Sequence, residues 1–157
     1  MTTTDSTRAP RLPREQRRQQ VLAAALEVFS TMGYHAASMD DIADRAGVSK
    51  PVLYQHFPGK LDLYVALLDT AIDDLLEAAK AALTGTSDNR LRVSAMTTVY
   101  FAFVEDPGGA FRLVFESDLA NEPAVRQRVD AADITLASRI ADVIAEDTGL
   151  SDEQALV

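Results

Sequence analysis

Ser49, Lys50, Tyr54, Gln55 and His56 fall within one short stretch of the chain. Each carries a hydrogen-bond donor, and Lys50 adds a fixed positive charge. Donors of this kind suit phosphate oxygens and the edges of base pairs. Upstream, five arginines stand between Arg8 and Arg18, opposed only by Glu15. Chemistry that makes or breaks bonds has far less to work with. The two histidines, His35 and His56, both lie in this N-terminal region, and there is no cysteine for a thiolate ligand or nucleophile. Pro58-Gly59-Lys60 lacks the upstream glycine of a phosphate loop, and neither HExxH nor GxSxG occurs. The adjacent pairs Asp40/Asp41 and Asp73/Asp74 would point about 100° apart on a helix, so neither makes a carboxylate dyad. The expectation is a binding protein with no catalytic residue, no metal site and no cofactor.

The donors need a scaffold, and residues 38–60, SMDDIADRAGVSKPVLYQHFPGK, supply one. Ser38 reads as an N-cap with Asp41 completing a capping box. Asp40 and Asp41 also favour the positive end of the helix dipole. Ile42, Ala43 and Ala46 form a small apolar face. Gly47 falls where the chain must leave the helix, often through a left-handed conformation. Ser49 is then expected to cap a second helix, with Pro51 tolerated in its first turn. Val48, Leu53 and Phe57 pack inward, leaving Lys50, Pro51, Tyr54 and Gln55 outward. Pro58-Gly59 ends the second helix. Two helices joined by a glycine turn, the second polar outside, make a helix-turn-helix.

The segment DDIADRAGVSKPVLYQHFPGKLDLY resembles the DNA-binding signature of TetR-type bacterial transcriptional repressors, over about Arg14 to Leu68. The resemblance implies an all-α homodimer whose N-terminal domains bind an operator and whose C-terminal domain binds a small effector. It also implies roles. Lys50, Pro51 and Val52 would face base edges, Lys50 donating to guanine and Pro51 or Val52 touching a thymine methyl. Tyr54 and His56 would contact phosphates, and Gln55 a base or a phosphate. Ser38 and Met39 would lie close to the backbone, as would Lys60 at the next helix's N-terminus, where charge and dipole both favour phosphate. Arg14, Arg17 and Arg18 would grip the flanking backbone, or a groove if the arm orders. Val52 departs from the polar residue often found at its position.

Charge distribution agrees with such a face. The chain of 157 residues has a net charge of −9, yet residues 1–60 hold 8 Lys/Arg against 6 Asp/Glu, and the remainder holds 7 against 18. A basic end on an acidic body suits a protein that presents one face to DNA.

Along the chain, residues 1–13 contain Pro10 and Pro13 and no apolar period, and read as a disordered arm. The DNA-binding domain is expected over 14–60, beginning with a helix to Met32 whose stripe is Leu22, Ala25, Leu26, Phe29 and Met32. A linking helix covers 61–83, with Leu61, Tyr64, Val65, Leu68, Ile72, Leu75, Leu76, Ala79 and Leu83 on its buried face. A C-terminal regulatory domain occupies 84–157. Its helices are expected at about 89–105, with Met96, Val99, Tyr100, Phe103 and Val104 inward, at 110–120, and at 123–147. One more helix would begin near Ser151. No strand pattern appears, so the fold class is all-α. Two further helices, which make most of the dimer interface in the family, are expected beyond this sequence, so the regulatory domain reads as incomplete. No apolar run is long enough to span a membrane, residues 1–14 lack a secretion signal's apolar segment, and the expected location is the cytoplasm.

Met96, Tyr100, Phe103, Phe111, Arg112 and Phe115 cluster around the break Pro107-Gly108-Gly109. Such a cluster could be plain core, or could line a cavity for a mostly apolar effector. The function these readings support is a repressor that binds a palindromic operator as a dimer and is released by a small molecule. Two other readings use the same motif: a helix-turn-helix that docks protein, and a non-specific DNA-binding structural protein.

Overall fold

The computed structural model describes residues 13–106, 109, 119 and 121–149, and among these the regular structure is six α-helices. They are α1 (Arg14–Met32), α2 (Met39–Ala46), α3 (Lys50–His56), α4 (Lys60–Thr84), α5 (Asn89–Val104) and α6 (Pro123–Thr148). The helix expected at 110–120 and the one near Ser151 lie outside the described residues, as do Phe111, Arg112 and Phe115.

Helix α1 packs across α2 and against the first half of α4. Val21, Leu22, Ala24, Ala25, Val28 and Phe29 are buried. The buried face is wider than the expected stripe because two neighbours share it. Met32 is correspondingly shifted out, 46% exposed. Ile42, Leu53, Leu63 and Leu68 close the centre of this head and are fully buried. Each such side chain contributes about 1.5–3 kcal/mol through burial. Phe29, Tyr34 and Tyr64 form an aromatic triad with centroids 5.4–5.7 Å apart, a spacing that favours edge-on contact.

Helix α4 leaves the head and packs against both α5 and α6. Three neighbours explain why its buried set, including Leu63, Leu67, Ala71 and Ala82, exceeds one helical stripe. Two arginines tie α6 to α4. Arg128 Nε donates to Asp69 Oδ1 at 2.5 Å, and Arg139 Nη1 donates to the Leu76 carbonyl at 2.6 Å. Leu119 and Val125 are also buried, and both join the core cluster of the head. Leu119 and the first turn of α6 therefore touch the N-terminal head. Among the described residues, no helix is long and apolar enough to cross a membrane.

Candidate nucleic-acid interface

The local signals that begin and end α2 act as their chemistry requires. The Ser38 hydroxyl accepts from the Asp41 backbone N–H at 3.1 Å, and an Asp41 carboxylate oxygen accepts from the Ser38 N–H at 2.9 Å. This reciprocal box holds the Asp41 carboxyl below the usual carboxylate range, the Ser38 side-chain hydrogen bond first and its backbone hydrogen bond second. Gly47 turns the chain at φ 63°, ψ 35°, a left-handed conformation that costs a Cβ-bearing residue free energy. The Val48 N–H then reaches back to the Ala43 carbonyl at 3.0 Å. From α1, Gln20 Nε2 donates to the Ala46 carbonyl at 2.7 Å, satisfying another carbonyl at the end of α2. Arg45 pairs with Glu27, a second tie between α2 and α1.

Helix α3 starts at Lys50 with Pro51 in its first turn. Ser49 occupies the N-cap position with extended backbone, but its side chain accepts no hydrogen bond there, so the expected side-chain cap is absent. Leu53 and Phe57 are buried and hold the helix to the core. Lys50, Pro51, Tyr54 and Gln55 are exposed, while Val52 and His56 are half-buried. Tyr54 is 49% exposed, too open for a core residue.

Two groups of expected residues converge. Arg14 and Arg17 stand with Ser49, Val52, Gln55 and His56 around one open cleft of about 410 Å³, which Gly47 and Val48 help to line. The N-terminal arginines and the outer face of α3 thus share a surface. Lys50 lies on the same helix and pairs with Asp40 at 2.6 Å. That hydrogen bond, and then the carboxylate's charge, raises the Lys50 pKa, so the side chain stays protonated.

Four expected residues are differently engaged. Arg18 lies with its guanidinium 4.6 Å from the Phe57 ring centroid, and its Nη1 is buried without a hydrogen-bond partner. Met39 is half-buried against the core. Ser38 spends its hydroxyl on the capping box: besides accepting from Asp41, it donates to the Asp41 carboxylate at 2.5 Å. The Lys60 ammonium donates to the carbonyls of Tyr34 and Ala37, both at 2.7 Å, and of His35 at 3.5 Å.

The described members of the expected effector cluster, Met96, Tyr100 and Phe103, are set apart from one another. Met96 lines a groove of about 410 Å³ with Leu83, Val93, Ile140, Val143 and Ile144, between the end of α4, α5 and α6. Phe103 lines a separate depression with Leu75, Ala78 and Val99. Tyr100 is 56% exposed and pairs edge-on with Phe101. The reason is the phase of α5: its half-buried stripe is Arg92, Ala95, Met96, Val99 and Phe103, at i, i+3, i+4, i+7 and i+11. Tyr100 and Val104 fall off that stripe and are exposed. The ion pair at the mouth of this groove was invisible in the sequence: Arg92 Nη1 reaches Asp147 Oδ2 at 2.5 Å, across 55 residues. Among the described residues, no group of His, Asp or Glu is placed to hold a metal ion.

A capped helix-turn-helix, braced by α1 and carried on a long helix into a second helical layer, defines a helix-turn-helix transcriptional regulator. Residues 21–67 match the profile of the bacterial regulatory proteins of the tetR family. Over 148 residues the chain is 49% identical to the HTH-type transcriptional activator FasR of Mycolicibacterium smegmatis, covering 94% of this chain and 68% of FasR. It belongs to the TetR family. To the HTH-type transcriptional regulator RutR of Escherichia coli K12 it is 42% identical over 65 residues, 41% of this chain and 31% of that protein. The fold is also that of FadR from Bacillus subtilis, solved in complex with stearoyl-CoA: TM-score 0.71, 20% identity, 88% of this chain and 78% of that one.

Proposed function

We propose that this regulator reads a palindromic operator as a dimer, inserting α3 into the major groove of each half-site. The observation that carries this reading is the convergence of Arg14 and Arg17 with the polar face of α3 around one open cleft. In this reading Lys50, Pro51 and Val52 meet base edges, and Tyr54, Gln55 and His56 meet phosphates or a base. Arg14 and Arg17 hold the flanking backbone. The two α3 helices of the dimer would stand about 34–36 Å apart, or a multiple of that, to meet successive turns of DNA. The protein acts in the cytoplasm, where operator DNA is accessible.

We infer that the groove between α4, α5 and α6 takes a mostly apolar effector. Its walls are mostly apolar, and its charged groups, Arg92 and Asp147, pair with each other. The direction of control follows from how the bound dimer sits relative to the polymerase. The name of FasR, an activator, favours activation over the repression that the motif alone implies.

Footprinting of the DNA flanking the chain's own gene tests the first reading. A short protected palindrome is the expected result; uniform protection or none overturns it. Transcription from that fragment in vitro, with and without protein, then separates activation from repression.

A further inference from the structure

We propose that Lys60 is a positioning residue, the pin by which α4 holds the turn that launches α2, and that it binds no phosphate of its own. The proposal rests on the operator-binding reading above and changes the role of one residue within it.

An ammonium group has three donors and no acceptor. In Lys60 all three point at backbone oxygens of a single turn: Tyr34 O and Ala37 O at 2.7 Å, and His35 O at 3.5 Å. The Nζ also lies 4.4 Å from the Tyr34 ring centroid, within the range of a cation–π contact. A phosphate that took this ammonium would compete with the two short bonds to the Tyr34 and Ala37 carbonyls. The Ala37 N–H, for its part, already bonds to the Gly33 carbonyl. The turn is not a passive loop. Ala37 is 2% exposed and directly precedes Ser38, whose capping box begins α2. Tyr34 packs on Phe29 of α1 and Tyr64 of α4.

Lys60 is the first residue of α4, and Phe57, four residues after Leu53, ends α3. The pin therefore ties the start of α4 to the start of α2, so the helix-turn-helix is closed at both ends on the same helix. A shift of α4 is passed to the turn through Lys60 as well as through the chain itself. Charge-assisted bonds of this length are the strong ones, and a turn that loses them opens locally long before the head unfolds.

The test uses the whole chain and the variants Lys60→Met and Lys60→Arg. Amide hydrogen exchange is measured without DNA. Binding is measured across a salt series to two probes: the fragment protected in footprinting and a random-sequence duplex. Lys60→Met should speed exchange at residues 34–41 about tenfold while the interior of α1 stays protected. It should weaken specific binding and leave the slope of log K against log salt unchanged on both probes. Lys60→Arg, which keeps the charge and several donors, should restore much of the protection. A slope lowered by about 0.9, the value for one lost phosphate contact, overturns the proposal, as does unchanged exchange at 34–41. If Lys60→Met does not fold, the same two criteria apply to Lys60→Gln, which keeps two donors without the charge. If the wild-type chain binds neither probe, the operator reading fails, while the exchange measurement still decides whether Lys60 pins the turn.

Discussion

Asp40 and Lys50 stand in the first turns of two successive helices, and their side chains meet at 2.6 Å across the surface that α3 presents. Both side chains are more than half exposed. An exposed pair of this kind contributes little to stability. Its consequence is positional. Asp40 holds the Lys50 ammonium back on the α2 side, so a base that recruits Lys50 must compete with a carboxylate.

The first prediction follows from that competition. Lys50→Ala should cost about 1–3 kcal/mol at the specific site and relax preference at one base position. Asp40→Asn should act in the opposite sense on general affinity, because it removes a negative charge from the surface proposed to face DNA and frees Lys50. Binding measured across a panel of single-base operator variants checks both. An unchanged preference profile for Lys50→Ala would remove Lys50 from base reading.

The N-terminal arginines should divide into two classes. Arg14 and Arg17 line the cleft beside α3, whereas the Arg18 guanidinium is stacked on Phe57. Arg14→Ala and Arg17→Ala should each lower the salt slope by about 0.9, the signature of one lost phosphate contact. Arg18→Ala should leave the slope alone and lower the head's stability by about 0.5–1 kcal/mol or more, through the lost cation–π contact. Salt-dependent binding together with thermal melts separates the two classes. A lowered slope for Arg18→Ala would place it on DNA after all.

How far the chain could be read in advance depends on the range of each interaction. Ser38 and Asp41 are three residues apart, and Gly47 and Val48 close their helix through bonds spanning only a few residues. Signals of that range are written in the local sequence, and so the six described helices were legible. The engagement of Lys60 spans 23 to 26 residues, and depends on how α4 crosses the turn after α1. The Arg92–Asp147 pair spans more still. On α5, Tyr100 and Val104 looked inward because apolar residues occur around most of that helix. Which of them turns inward is decided by where α4 and α6 lie, which no single-helix pattern contains. Ser49 shows the same limit at short range. It occupies the cap position, yet its hydroxyl makes no cap.

The capping box makes the head sensitive to acid in a defined direction. The Asp41 carboxyl is held below its ordinary value by Ser38. A group with a depressed pKa stabilises the folded state above its unfolded pKa, and that stabilisation is lost as pH falls through the folded value. Asp41→Asn should therefore flatten the stability profile below about pH 4, the ordinary aspartate range, and reduce stability at neutral pH. Ser38→Ala should cost about 1 kcal/mol at neutral pH and remove part of the same acid dependence. Chemical denaturation at several pH values checks this. Identical profiles for wild type and Asp41→Asn would mean that the box contributes equally in both protonation states.

The groove beside Met96 carries the last prediction. An occupant wedged among Met96, Val93, Ile140, Val143 and Ile144 would push α5 away from α6. The Arg92–Asp147 pair resists that opening at one end of the groove. Further along, Arg128 and Arg139 fasten α6 to Asp69 and to the Leu76 carbonyl of α4. Strain at the groove therefore reaches α4, and α4 begins beside the turn that launches α2. Coupling of this kind is typically about 1–3 kcal/mol, or roughly 5–150-fold in DNA affinity. Filling the groove from within, by Met96→Phe or Val143→Phe, should abolish the response to an apolar effector. Operator affinity in its absence should stay within about threefold of wild type, because neither residue touches the reading head. The measurement is operator binding with and without a series of long-chain apolar compounds, alongside thermal melts of each variant. If both variants lose folding stability and DNA binding together, these side chains are ordinary core, and the effector site must be sought elsewhere. If the variants fold and bind but respond to the same compounds as wild type, the groove is not where those compounds act.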